Sequence, residues 1–271
     1  MSRLSLLRRA GALAAPAAAL GWAATASAEP SKPTAATAEL SKPDSTTGVT
    51  RVLVTGFHDW RELDGNVWRC RDNPSCRLLL GAPCPLPPVK RAGPLVAALA
   101  GANFHVTFHT LPVIWGSAAA LDYSDYDVVV HLGLGVYDNH ETILLECGAW
   151  NERKGTDAVG RQLAGQSLEA GAPQRINTPK MLANTTAVVA SAIGHTLAGG
   201  HNLRLAEARP ENTYLCNETH HRALKALDGG PRAAYFVHLP YAAEDDADHR
   251  RLAASVAELL RRLVEVSMAD S

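Results

Sequence analysis

The chain has 271 residues, 46% of them hydrophobic, with 26 basic against 27 acidic side chains and a formal charge of −1. A balance so near neutrality leaves no electrostatic footprint for nucleic acid or an acidic lipid surface, and no charge run is long enough to be an interaction tail. No internal repeat is visible, which excludes solenoids and propellers.

The N-terminus reads "MSRLSLLRRAGALAAPAAALGWAATASAEP". Arg3, Arg8 and Arg9 precede an Ala/Leu run that closes on Ala26, Ser27 and Ala28, small residues where a signal peptidase cuts. This predicts a secretory signal peptide over residues 1–28, its apolar core too short to span a bilayer. The Arg8–Arg9 pair leaves twin-arginine export open beside the general route. Residues 29–49, rich in Pro, Ser, Thr and Ala, form an expected disordered linker. Residues 50–271 then suit one domain with a sizeable core, exported to the periplasm or medium and free of membrane in its mature form.

"RVLVTGF" at 51–57 is a β-branched run and predicts a first buried strand. Residues 60–88 are rich in Cys and Pro, and "GAPCPLPP" excludes regular structure near their end. "PLVAALAGA" predicts a helix and "FHVTFHTLPV" a second strand. "YDVVVHLGLG", residues 126–135, predicts a third strand whose near-continuous apolar run fits cover on both faces. "TILLECGAWN", residues 142–151, predicts another. A helix is expected over 179–198 with Leu182, Val189, Ile193 and Leu197 on its apolar side. A short strand at 203–208, a helix after Cys216 and a strand at 233–240 follow. The last helix places Leu252, Val256, Leu259, Leu260 and Leu263 at amphipathic spacing. This alternation predicts a single-domain, three-layer α/β/α sandwich around a mostly parallel mixed sheet. Ligand sites in that architecture lie at strand ends.

Five cysteines, 70, 76, 84, 147 and 216, are an odd number, so two bridges leave one thiol free. Cys216, in "NTYLCNETHH", admits three readings: a buried structural thiol, half of a disulfide, or a nucleophile. At a helix start, unpaired N–H groups favour a thiolate and can receive the oxyanion it forms on a carbonyl. His238 in "YFVHLP" is the best proton shuttle, and Glu146 in "ILLECG" a carboxylate able to orient it. A core histidine and a salt-bridged glutamate are the plain alternatives. His220 and His221 lack zinc spacing to Cys216 or His238 and are read as helix surface. Gly133 and Gly135 in "HLGLG" fall short of a dinucleotide fingerprint, so no cofactor is expected there.

Taken in order, these motifs resemble pyroglutamyl peptidase I (pyrrolidone-carboxylate peptidase), a family of cysteine peptidases. "VLVTGFHDW" stands where the family has a strand and "TGF-x-P-F-G-G", and Asn73-Pro74-Ser75 matches its "NPS". "ECGAWN" corresponds to "ERVAIN", "NTYLCN" to "GTFVCN" and "FVHLP" to "FIHVP". The resemblance covers nearly all of the expected mature chain. It implies a Cys216–His238–Glu146 triad that removes pyroglutamate from small peptides, with no metal or organic cofactor. It also implies a substrate ring held by Phe57, Trp60 and Tyr214, with Asn73 and Leu134 nearby and Lys154 in place of an oxyanion arginine. It leaves room for a homo-oligomer.

The departures cluster around that pocket. Asp59, Trp60, Arg61 and Glu62 replace the "P-F-G-G" turn, "VYDNH" replaces a Gly-Gly-Arg turn, and Glu211–Asn212 replaces Ala-Gly. Lysine for arginine keeps the charge but loses the planar fork. Beside the resemblance, Cys70, Cys76, Cys84 and Cys147 are expected to form two disulfides, one tying the remodelled segment to the glutamate strand. A single bridge within the segment is the alternative, and Cys216 is left free in both. A thiol amidohydrolase acting on another small acyl or lactam group, and a silent binding protein, remain the competing functions.

Overall fold

A computed structural model describes residues 37–38, 48–61, 67–81, 93–135, 139–242 and 245–269. The expected signal peptide and most of the linker lie outside the described residues, as do Cys84 and the side chain of Trp60.

Short elements open the chain: β1 (Thr37–Ala38), β2 (Arg51–Phe57), β3 (Trp60–Arg61) and β4 (Val67–Trp68). Two short helices follow, α1 (Pro74–Leu80) and α2 (Pro94–Ala98), then β5 (His105–Leu111), β6 (Val128–Leu134) and β7 (Thr142–Cys147). Next come β8 (Ala149–Trp150), β9 (Arg153–Thr156), β10 (Gln162–Gln166), β11 (Arg175–Ile176) and α3 (Pro179–Ser191). The chain closes with β12 (Asn202–Glu207), α4 (Leu215–Lys225), β13 (Ala233–Leu239) and α5 (Asp246–Met268).

The main sheet has the order β1-β5-β2-β6-β13-β7-β12. Strands β5, β2, β6 and β13 run parallel, as do β7 and β12, while β13 meets β7 antiparallel and β1 meets β5 antiparallel. This is the expected mostly parallel mixed sheet in an α/β fold. Alternation along the strands divides it into two faces. Val52, Val54, Val128, Val130, Leu132, Tyr235 and Val237 join the large core beneath α1, α2, α3 and α5. Leu53, Val129 and Ala234 point the other way, with Phe57 and Phe236, toward α4 and a 3-10 turn at Ser117–Ala120. That thinner layer holds the candidate site.

Helix ends follow their local sequence. Asn73 caps α1 by accepting from Ser75 N–H at 3.1 Å, with Pro74 at the first helical position. Thr178 accepts from Met181 N–H at 3.1 Å ahead of Pro179, and Asp245 accepts from Asp248 N–H at 2.7 Å to start α5. Leu252, Val256, Leu259, Leu260 and Leu263, expected to face inward from α5, are all buried.

The structure departs from expectation in five places. Residues 142–151 are not one strand: Gly148, at φ 86°, breaks them into β7 and β8. A Cβ there would meet Ile176 O at 2.7 Å, so the turn needs glycine. Helix α3 ends at Ser191, and only half of its expected apolar side faces the core: Leu197 is buried and Val189 packs against the core, but Leu182 is 47% and Ile193 75% exposed. The buried face is instead Met181, Asn184, Thr185 and Val188. Its polar members are satisfied, Asn184 Nδ2 donating to Tyr235 Oη at 3.1 Å and Thr185 Oγ1 to Met181 O at 2.8 Å. Helix α1 lies within the Cys- and Pro-rich segment, where no helix was expected. Two residues of the expected linker, Thr37–Ala38, pair with β5.

The cysteines supply the fifth departure, following the single-bridge alternative among the described residues. Cys70 is bridged to Cys76, while Cys147 is a free, buried thiol rather than half of a second disulfide. Cys147 Sγ accepts from Asn177 Nδ2 at 3.3 Å, and Arg175 Nη2 donates to the Cys147 carbonyl at 2.9 Å. The thiol has no bridge partner among the described residues. Cys216 is free, as expected.

The Cys70–Cys76 bridge spans a separation of 6 residues. Chain entropy alone assigns such a short loop about 2 kcal/mol of stability. The double substitution Cys70→Ala/Cys76→Ala is expected to lower the unfolding free energy by that amount, read as a lower urea midpoint. Full reduction of the wild type should match it.

Candidate active site

Strand β13 carries His238 directly opposite Gly133 of β6 and Leu144 of β7. Glu146, two residues along β7, points to the same face of the sheet, so its carboxylate lies diagonally across from the imidazole. His238 Nδ1–H donates to Glu146 Oε1 at 2.6 Å, and both side chains are buried. The same imidazole is hydrogen-bonded to the thiol of Cys216. Glu146, His238 and Cys216, three residues far apart in sequence, thus form one connected set.

Cys216 is the second residue of α4, whose cap residue Tyr214 offers no side-chain bond to the helix. Helix geometry leaves the first-turn N–H groups of Leu215, Cys216 and Asn217 without intrahelical partners, and Glu218 N–H is the first to close, on Tyr214 O at 3.1 Å. The thiol therefore sits at the positive end of a helix with open donors around it.

Room for the sulfur comes from Gly133. A Cβ on that residue would lie 3.0 Å from Cys216 Sγ and 2.8 Å from Phe236 Cζ. Only a glycine lets β6 pass this close beneath the thiol.

Burial is the largest influence on His238 and opposes its charge. It is outweighed by the hydrogen bonds the ring donates to Cys216 and then Glu146, and by the fields of both groups, which together raise its pKa to about 10. The ring is an imidazolium at neutral pH. Two other histidines in this layer are neutral: burial pushes His131 and His220 each down to about 3. His131 shares a 2.6 Å hydrogen bond with Thr55 Oγ1.

The remaining expected site residues divide by what holds them. Phe57 is buried at the end of β2, its N–H donating to Ser75 Oγ at 3.1 Å and its carbonyl accepting from Asn73 Nδ2 at 2.9 Å. Asn73 is thereby engaged with α1 and the β2 backbone. Tyr214 is half-buried, donating to Thr156 O at 2.7 Å and meeting Trp115 edge to face at 5.3 Å. Leu134, also half-buried, ends β6. Lys154 is exposed on β9, where its N–H donates to Thr213 O at 2.9 Å. The cation against α4 is its neighbour Arg153, 3.5 Å from Glu218. His220 and His221 are buried, not surface, because α4 packs against the sheet on one side and β8 and β9 on the other.

Sequence reasoning missed several residues that build the site. Trp115 forms part of the apolar cluster that borders Cys216, together with Phe57, Leu111, Leu215 and Phe236. Asn217 staples the start of α4 to the β8–β9 segment: Nδ2 donates to Trp150 O at 2.8 Å and Glu152 O at 3.0 Å, and Oδ1 accepts from Trp150 N–H at 2.7 Å. Glu218 is buried, accepts from Gly116 N–H at 3.0 Å and pairs with Arg222 at 3.2 Å. A charged residue inside a helix that is otherwise flanked by buried strands was the available signal for Glu218.

No family profile and no curated protein matches the chain. Solved structures do. A mutant pyrrolidone carboxyl peptidase from the hyperthermophile Pyrococcus furiosus is 19% identical with a TM-score of 0.55, over 82% of this chain and 99% of that one. Pyroglutamyl peptidase I of Bacillus amyloliquefaciens is 19% identical with a TM-score of 0.53, over 79% and 97%. The fold is that of the pyrrolidone carboxyl peptidases. Nearly their whole length is matched.

Two outcomes test the geometry. Gly133→Ala must displace the thiol, and a misplacement of roughly 1 Å costs about 100-fold in rate, which kcat/KM on any cleaved substrate should register while circular dichroism stays native. For His238, the folded pKa of about 10 exceeds the ordinary 6.5, so its contribution to stability is complete below 6.5 and is lost as pH rises through 10. Glu146→Gln should bring this loss to lower pH, visible as an earlier alkaline decline in urea midpoint.

Proposed function

We propose that this protein is an exported cysteine peptidase that removes pyroglutamate from the N-terminus of peptides. The observation that carries the reading is the bond from Glu146 to an imidazolium that is itself bonded to a cysteine at an uncapped helix start. The fold supports it, since the pyrrolidone carboxyl peptidases share the framework. Export is supported by the leader-like N-terminus and the Cys70–Cys76 bridge. No helix among the described residues is long and apolar enough to cross a membrane.

The Cys216 thiolate attacks the pyroglutamyl carbonyl, forming a carbon–sulfur bond and a tetrahedral oxyanion that the first-turn N–H groups of α4 receive. As the carbon–nitrogen bond breaks, imidazolium His238 donates its proton to the departing amine. The neutral ring then takes a proton from water, whose oxygen attacks the thioester. Collapse releases the acid and restores the thiolate–imidazolium pair. Glu146 fixes the ring orientation and stabilises its charge throughout. Phe57, Trp60 and Tyr214 would hold the lactam ring, with Leu134 lining its edge. Exposed Lys154 would meet the oxyanion only by swinging inward.

Exposure of Lys154 favours one competing reading, a thiol amidohydrolase acting on a different small acyl group. A fluorogenic pyroglutamyl amide separates the two. Turnover by the wild type that Cys216→Ala abolishes supports the peptidase, with kcat falling by at least about 1,000-fold. Rapid iodoacetamide labelling of Cys216 without turnover selects the amidohydrolase, and a thiol inert to labelling overturns both. The alkaline limb of kcat/KM should fall near pH 10, where His238 loses the proton needed by the leaving amine.

A further inference from the structure

Trp115 follows β5 and belongs to the apolar cluster against which Cys216 packs. It is 4% exposed, and one turn of the chain, residues 157–161 between β9 and β10, binds all of its polar groups. Its main-chain N–H donates to Asp157 Oδ2 at 3.1 Å, and its carbonyl accepts from Arg161 Nη2. The indole Nε1–H donates to the Arg161 carbonyl at 3.1 Å. Ala158 N–H adds a bond to Val113 O at 2.8 Å, so the turn is laced to the whole segment that carries Trp115.

The same hairpin holds Tyr214. The Tyr214 hydroxyl donates to Thr156 O at 2.7 Å, and the ring lies so near Gly155 that a Cβ there would fall 2.9 Å from Cδ2. The Trp115 ring meets it edge to face, with centroids 5.3 Å apart. Tyr214 is thus confined on one side by the hairpin and on another by an indole whose place the hairpin also sets. It stands two residues before Cys216.

Asp157 is the centre of this clasp. Its side chain is 0% exposed, a costly place for a carboxylate unless its oxygens are bonded. Oδ1 accepts from Val159 N–H at 3.1 Å and from Arg161 N–H at 2.8 Å, which closes the turn. Oδ2 reaches out of the turn to Trp115 N–H and lies 3.3 Å from Arg161 Nη2. Closing the hairpin uses only the first oxygen.

We propose that Asp157 and Arg161 are positioning residues for the acyl pocket: through Trp115 they fix the Tyr214 ring beside the Cys216 thiol. Their effect falls on how the acyl group is seated rather than on the thiol, because Asn217 anchors the start of α4 independently of this turn. A ring that Tyr214 contacts is held alike in the ground and transition states, so a loosened Tyr214 raises KM more than it lowers kcat. This kinetic half rests on the peptidase reading above; the geometric half does not.

The test is Asp157→Asn. Its amide keeps an acceptor for Val159 and Arg161 but turns an NH2 toward Trp115 N–H, donor against donor. Three readings are taken: kcat and KM on a fluorogenic pyroglutamyl amide, iodoacetamide alkylation of Cys216, and the Tyr214 ring signals of tyrosine-labelled protein, assigned with Tyr214→Phe. KM should rise about 10-fold while kcat falls less than about 3-fold and alkylation stays within about 2-fold of wild type. The Tyr214 signals, displaced in the wild type by the neighbouring indole, should move toward ordinary tyrosine values. An aspartate that only stabilised its hairpin would lower the melting temperature and leave all three readings unchanged. That result in a folded variant overturns the proposal, as does alkylation slowed as much as KM is raised. A wild type that ignores pyroglutamyl amides overturns the substrate assignment instead, and the Tyr214 signals then decide: unmoved in Asp157→Asn, they overturn the proposal. Should that variant not fold, Arg161→Leu removes an exposed guanidinium from the Trp115 carbonyl. It should raise KM about 3-fold and move the same signals, and unmoved Tyr214 signals again overturn the proposal.

Discussion

The bond between Glu146 and His238 is the interaction on which the site depends. A carboxylate and an imidazole buried in neighbouring strands are each costly alone, and removing one leaves an uncompensated polar group. The antiparallel pairing of β7 with β13, an exception within a mostly parallel sheet, sets them diagonally on one face. Once they are joined, the ring's far nitrogen has one direction in which to point. The start of α4 stands there.

The rest of this layer fixes where α4 begins. Asn217 binds the first turn to the β8–β9 segment, and Glu218 pulls the loop at Gly116 onto the next turn. Phe57 is held from the other side, its two main-chain groups bound by Asn73 and Ser75. The layer beneath α1, α2, α3 and α5 contributes bulk apolar burial. Rigid elements on one face and a tightly tethered helix on the other are what a preorganised nucleophile requires.

Much of this was legible in the chain. Runs such as "VLVTGF" and "VVVHLGL" are apolar at consecutive positions because both of their faces are covered, and that pattern is distinctive. Glu146 and His238 stood out as polar residues in such runs, and Cys216 by its place before a helix. What was not legible depended on partners distant in sequence. The inner face of α3 contains Asn184 and Thr185, which count as polar until Tyr235 and the helix's own carbonyls are seen to satisfy them. Lacking zinc spacing, His220 and His221 read as helix surface, since nothing local reveals that β8 and β9 cover α4. The pairing of Cys147 failed for a similar reason: a cysteine count carries no information about the Asn177 and Arg175 that enclose it.

Cys70–Cys76 and Cys216 have opposite chemical requirements within one molecule. The bridge anchors the segment from which Asn73 and Ser75 hold Phe57, so it must stay closed, whereas the sulfur at α4 serves only while unoxidised. Neighbouring thiols convert between these states at potentials set by their surroundings. On the proposed reading, the protein would be confined to a band of ambient potential, bounded below by opening of its scaffold and above by capping of its nucleophile.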